Sequence, residues 1–180
     1  AMTKDNLKAR LAYSTVSQLS YIVLAAMLAT SMGAMGGATH IAMHAFGKIT
    51  LFFCAGAILV ATHKTEISQM RGIGRTMPIT MTAYTIGALS IIGAPPMGGL
   101  WSKWMLGMAA LEAGEVAMIG VLMLSSLLSI GYLMPVTIKA FFNTPDPQTA
   151  GKVVFKEAPA FSVAALSFSA LACIVLFLFP

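Results

Sequence analysis

Two histidines and a lysine, His40, His44 and Lys48, recur at four-residue intervals inside an otherwise apolar stretch, Ala38 to Thr62. Positions i, i+4 and i+8 stack on one face of an α-helix. Histidine changes charge near neutral pH and can pass a proton between its two ring nitrogens. An ionisable side chain at mid-membrane costs at least roughly 2.5–3.5 kcal/mol on insertion scales, so the row reads as an ion or proton pathway. A lysine relays protons only where both of its charge states are accessible. From a reference pKa of about 10.4, this asks for roughly 4 kcal/mol of destabilisation of the cation.

A second lysine, Lys103, follows the run Gly93-Ala-Pro-Pro-Met-Gly-Gly99. Pro95 and Pro96 have no backbone N–H, so carbonyls one turn earlier lose their partners. Unpaired backbone survives at membrane depth only where protein or a water-filled cavity covers it. Half-helix ends at such interruptions coordinate ions in transporters. Lys103 is therefore expected at the far end of the same path, with a hydrated ammonium. Competing readings stand beside this one. Lys103 could snorkel to the interface between Trp101 and Trp104. His40 could be a helix-end residue near the interface, and Lys48 a structural lysine paired with a carboxylate. No Asp or Glu lies within an apolar stretch of this sequence, so that carboxylate would come from outside it. His40 and His44 also have metal-ligand spacing, but residue 41 is Ile and no third ligand is in view, so neither metal nor cofactor is expected.

The elements that must carry these residues are membrane helices. Of 180 residues 58% are hydrophobic and only 9% charged, with a mean hydropathy of +0.84, far from soluble averages. The fold class is an all-α membrane protein. Helix 1 is expected from about Leu7 to Thr30, with Ser14, Gln18 and Tyr21 forming one polar stripe. Gly33, Gly36 and Gly37 make a turn, and helix 2 covers Ala38 to Thr62. A basic loop spans 63–77, followed by helices from Ile79 to Ile92 and from near Leu100 to 112–115, then Val116 to Phe142, with Gly131 and Pro135 as kink positions. A polar loop, 143–158, contains Pro145, Pro147 and Gly151. The last helix is Pro159 to Phe179. Cys54 and Cys173 sit inside apolar helices as small buried side chains.

Residues 77–113 could cross the membrane twice, or once as a helix broken at Gly93–Gly99, where Pro95, Pro96, Gly98 and Gly99 lie. A single broken crossing puts Lys4, Lys8, Arg10, Lys64, Arg71, Arg75, Lys139, Lys152 and Lys156 on one face, with Glu112 and Glu115 on the other. The positive-inside rule favours that arrangement, with the basic face cytoplasmic. Five crossings follow, the third discontinuous. The net charge of +5 is explained by orientation and not by nucleic acid. The chain begins Ala-Met-Thr-Lys-Asp and is expected to be part of a longer one.

Three segments resemble the antiporter-like membrane subunits of respiratory complex I and of Mrp-type multisubunit cation/proton antiporters. They are Lys8-Ala-Arg-Leu-Ala-Tyr-Ser-Thr-Val-Ser-Gln18-Leu-Ser-Tyr21, His40-Ile-Ala-Met-His44-Ala-Phe-Gly-Lys48 with the following Leu-Phe-Phe-Cys-Ala-Gly, and Gly93-Ala-Pro-Pro-Met-Gly-Gly-Leu-Trp-Ser-Lys103-Trp. They occur in the family's order and at about its spacing, and the likeness covers residues 1–142. It implies most of the second of two inverted five-helix repeats, then a polar loop (143–158) and one additional membrane helix (159–180). It also implies that Lys48 is the central relay lysine, with His40 and His44 on the same hydrated path. Lys103 matches the residue at the broken helix, where some members carry Glu, and Lys8 matches a lysine at a helix entrance. The Gly-Leu-Trp-Ser-Lys-Trp and His-Ala-Phe-Gly-Lys versions look closest to the D-type Mrp subunit.

The expected function is proton or coupled Na⁺/H⁺ translocation within a hetero-oligomeric complex in the plasma (inner) membrane of a prokaryote. A complex I or hydrogenase-linked subunit is the alternative, and would make the whole an NADH:quinone oxidoreductase. A non-transporting structural subunit, its polar residues joining helices by hydrogen bonds, is the reading from another class.

Overall fold

A computed structural model describes residues 1–144 and 156–179. Its helices are α1 (Leu7–Met27), α2 (Ser31–Thr62), α3 (Ile73–Thr76), α4 (Pro78–Ile92), α5 (Gly99–Glu112), α6 (Val116–Phe142) and α7 (Ala160–Leu178). The fold is all-α, with no named strand among the described residues. Pro145, Pro147, Gly151 and Lys152 of the expected polar loop, and Pro180, lie outside the described residues.

Helix starts follow the capping residues. The Asn6 side chain accepts from Ala9 N at 3.1 Å and opens α1, and Thr30 accepts from Gly33 N at 2.9 Å and opens α2. The expected glycine turn is thereby corrected. The chain turns at Leu28–Thr30, with Ala29 at φ 50°, while Gly33, Gly36 and Gly37 lie inside α2. They are there for close approach. A Cβ at Gly36 would stand 3.1 Å from Met105 Cβ, and one at Gly37 would stand 2.9 Å from Ala25 Cβ. Small residues at such crossings let membrane helices pack backbone to backbone. The 63–77 segment is also more than a loop: it holds a 3₁₀ turn, Ile67–Gln69, and α3, anchored by buried Ile67, Met70 and Ile73.

The order of contacts along α2 settles the number of crossings. Gly36 faces Met105, His40 meets Ser102, Gly47 faces Ile91, and Gly87 lies against Leu51. The partner numbers fall steadily as α2 advances, so α5 and α4 lie end to end, both antiparallel to α2. Together they make one broken crossing. Helices α2, α6 and α7 are each long and apolar enough to cross a membrane. The 21 residues of α1 reach about 31 Å, enough for a ~30 Å core.

The basic ends meet on one side. Leu7 N donates to Thr65 O at 3.0 Å, Gly72 N to Lys139 O at 3.0 Å, and Lys156 N to Thr76 O at 3.0 Å. These bonds gather the start of α1, the end of α2, the start of α4, the end of α6 and the approach to α7. Glu112, the last residue of α5, and Glu115, just before α6, lie at the opposite end.

Candidate functional site

At the break, α4 ends on Gly93 in the left-handed region, φ 83°. A continuing helix would take the Ile91 and Ile92 carbonyls through the N–H groups of residues 95 and 96. Both are proline. Lys103 supplies the missing donors: its Nζ donates to Ile91 O at 3.0 Å, Ile92 O at 2.8 Å and Ser126 Oγ at 2.9 Å. A cation at a helix C-terminus is also favoured by the backbone dipole. Lys103 thus turns inward to close α4; it does not snorkel, and its three donors are held by protein where hydration was expected. Glycine is required on both sides of the gap. A Cβ at Gly93 would sit 2.9 Å from Lys103 Cδ, and one at Gly99 would collide with Ser90 O.

Helix α7 secures the break from outside. Gly98 N donates to Cys173 O at 3.1 Å, and Trp101 Nε1 donates to Phe177 O at 2.9 Å. Trp101 is therefore a tie between helices, while its neighbour Trp104 is 64% exposed, as a lipid-facing belt residue would be.

The α2 row faces the interior. His40, His44 and Lys48 are all buried. The His40 and His44 rings stack with centroids 5.8 Å apart and planes 15° from parallel. His40 Nδ1 is hydrogen-bonded to Ser102 Oγ at 3.0 Å, which places this histidine beside Lys103. Tyr21 bridges the pair, with its ring centroid 5.2 Å from that of His40 and 5.4 Å from Lys103 Nζ. His40 is thus well inside the fold and not at a helix end. Among the described residues, His40 Nε2, both nitrogens of His44 and both amide atoms of Gln18 have no hydrogen-bond partner. Lys48, 6% exposed, donates to a single acceptor, Leu11 O at 3.0 Å. The gap bordered by Gln18, His40, His44, Ser102 and Lys103 does not admit a water-sized sphere.

Lys8 is not brought to this row; it is exposed in the first turn of α1. Its neighbour Arg10, which charge bias alone explains in the sequence, is buried. It donates through Nε to Lys4 O at 2.8 Å and through a terminal nitrogen to Tyr132 O at 3.2 Å. Ser102, Ser126 and Tyr132 were also missed. The i, i+3, i+6 spacing of Ser126, Ser129 and Tyr132 on α6 was the available signal.

Comparison with known proteins returns a consistent set. The family model described as NADH:quinone oxidoreductase/Mrp antiporter, TM, matches residues 1–129. NADH-quinone oxidoreductase subunit N of Desulforudis audaxviator is 39% identical over 148 residues, 82% of this chain and 30% of that protein. In fold, the chain is similar to a component of the Mrp complex from a Dietzia species, with TM-score 0.86, 22% identity, and coverage of 99% of this chain and 41% of that one. It is equally similar to a chain of respiratory complex I from Thermus thermophilus, with TM-score 0.86, 23% identity, and coverage of 99% and 37%. The sequence therefore spans well under half the length of the proteins it matches.

Proposed function

The chain belongs to the NADH:quinone oxidoreductase/Mrp antiporter membrane family, and from that premise we propose that it is part of a proton-translocating subunit. His40, His44, Lys48 and Lys103 would carry the proton. The observation that supports this most is the state of Lys48: an ammonium at the middle of α2, buried, with one neutral carbonyl as its partner. No carboxylate neutralises it: among the described residues the only acidic one within a membrane helix is Glu112, at the very end of α5. A buried charge with unspent donors is costly, and is retained where its charge changes during function. The unpartnered His44 carries the path from Lys48 towards His40 and the break, and Lys8 stands at its basic end.

The assembly is a Mrp-type cation/proton antiporter and this chain part of its D-type subunit, moving H⁺ or exchanging it for Na⁺, on the strength of the Gly-Leu-Trp-Ser-Lys-Trp and His-Ala-Phe-Gly-Lys motifs. A complex I-like pump has equal support from the 39% identical subunit N. In both cases the partners are other membrane subunits and the surrounding lipid. Residues 1–142 form part of the conducting unit and 159–180 an added helix. The location is a prokaryotic plasma membrane, with the basic end cytoplasmic by the positive-inside rule.

The test is proton uptake by vesicles containing the full-length complex. Lys48→Ala should abolish uptake while assembly persists, and normal uptake by that variant would remove the proposal. Dependence of uptake on Na⁺, or on a reduced electron donor, then separates antiporter from pump.

A further inference from the structure

A second line of polar groups runs between the same two lysines, interrupted by one helix turn at each of two places. The Ser14 and Tyr132 hydroxyls are 2.7 Å apart across α1 and α6, and Ser129 Oγ is 3.1 Å from the Tyr132 hydroxyl. All three residues are buried. One turn from Ser129 along α6, Ser126 accepts from Lys103 at 2.9 Å. One turn from Ser14 along α1, the Leu11 carbonyl holds Lys48 at 3.0 Å. Tyr21 adds a further hydroxyl on this face, beside Ser125 and Ser126 but without adequate bonding geometry to either.

We propose that Ser14, Tyr132, Ser129 and Ser126 form a second proton route between Lys48 and Lys103, parallel to His40 and His44. The inference rests on the relay reading of those lysines. A hydroxyl donates one proton and accepts others, so a row of them can pass a proton without acquiring net charge. The row has a resting polarity. Ser129 Oγ donates to Ser125 O at 2.9 Å, so it accepts from Tyr132, which in turn accepts from Ser14. In transfer, an N–H bond of Lys48 breaks and an O–H bond forms at Ser14. The Ser14 proton moves to Tyr132 and the Tyr132 proton to Ser129. Ser129 turns from the Ser125 carbonyl towards Ser126, which receives its proton and passes its own to neutral Lys103. Each hydroxyl ends with one proton, Lys48 neutral and Lys103 charged. Rotation of the hydroxyls then resets the row. Two one-turn intervals, Lys48 to Ser14 and Ser129 to Ser126, are left to rotation of the serine hydroxyls and of the Lys48 ammonium, which transfer along this row requires.

Interhelical hydrogen bonds of this kind also serve as glue, so the test measures flux per assembled complex. Tyr132→Phe removes one oxygen and keeps the ring. With two independent routes, it should lower proton flux about twofold when His40 and His44 are intact. In a His40→Ala, His44→Ala background it should remove about tenfold or more of the remaining flux, and Ser14→Ala should do the same. Wild-type flux per complex for Tyr132→Phe in both backgrounds, with Lys48→Ala still inactive, overturns this inference and leaves the relay reading standing. Complete loss in Tyr132→Phe with both histidines present overturns the parallel arrangement. Normal flux in Lys48→Ala overturns both.

Discussion

Lys48 and Lys103 are the same residue type in the same apolar setting, and their surroundings differ. An ammonium has three donors. Lys103 uses three, on two carbonyls that prolines leave open and on Ser126. Lys48 uses one, on Leu11 O. The first lysine replaces backbone hydrogen bonds that the sequence itself has removed, and so completes a helix. The second completes nothing in the described structure. Charge in a membrane therefore stands in two settings here: Lys103 repairs a helix end, while Lys48 repairs none and is left to the relay role proposed for both.

The largest effect expected from that contrast is on stability. Lys103→Met leaves Ile91 O and Ile92 O without donors, at about 1–3 kcal/mol for each buried group. Lys48→Met removes a poorly satisfied buried charge, which is near neutral or stabilising when an apolar side chain fills the space. The midpoint of thermal unfolding of the complex in detergent should fall for Lys103→Met and hold or rise for Lys48→Met. An equal fall in both would break the comparison, since Lys48 would then be as structural as its counterpart.

A smaller effect comes through Gly93. Alanine there adopts a left-handed conformation at roughly 1–2 kcal/mol, and its Cβ presses on Lys103 Cδ, 2.9 Å away. Gly93→Ala should shift the Lys103 side chain and lengthen its bonds to the two carbonyls without breaking them, and so lower the same midpoint by less than Lys103→Met does. If the midpoint is unchanged, the closure of α4 by Lys103 is looser than its distances imply.

The sequence displayed the ionisable row because a helix period is local: His40, His44 and Lys48 need only one helix to share a face. It displayed the break for the same reason, as Pro95 and Pro96 remove donors whatever surrounds them. Charge placement even selected a single broken crossing, since the basic residues had to share one end. Features set by distant packing were hidden. Gly33, Gly36 and Gly37 read as a turn because glycine favours turns, and only their contacts with Ala25 and Met105 show them to be contact surface. Arg10 read as an orientation charge until α6 brought the Tyr132 carbonyl to it. The role of Lys103 as a cap was derivable, because the two carbonyls left without donors by Pro95 and Pro96 could be counted, but the direction of its side chain was not.

Helix α4 sharpens the contrast at its other end. Its N-terminus opens on Pro78 with no cap from its own neighbourhood, and Glu157, from the approach to α7, closes it. The Glu157 carboxylate accepts from Ile79 N at 2.8 Å and from Thr80 Oγ1 at 2.6 Å. So a carboxylate sits at the positive end of α4 and an ammonium at the negative end, each satisfying backbone groups and matching the dipole. If backbone repair is separable from relay, Glu157→Ala should cost stability without touching transport. The expected loss is about 1 kcal/mol, the usual value of a side-chain cap, read as a small drop in the unfolding midpoint. Proton flux per assembled complex should stay at the wild-type level, whereas Lys48→Ala should show the reverse pattern. A Glu157→Ala complex that assembles fully but conducts poorly would mean that the ends of α4 take part in transport, and the division between repair and relay would have to be drawn elsewhere.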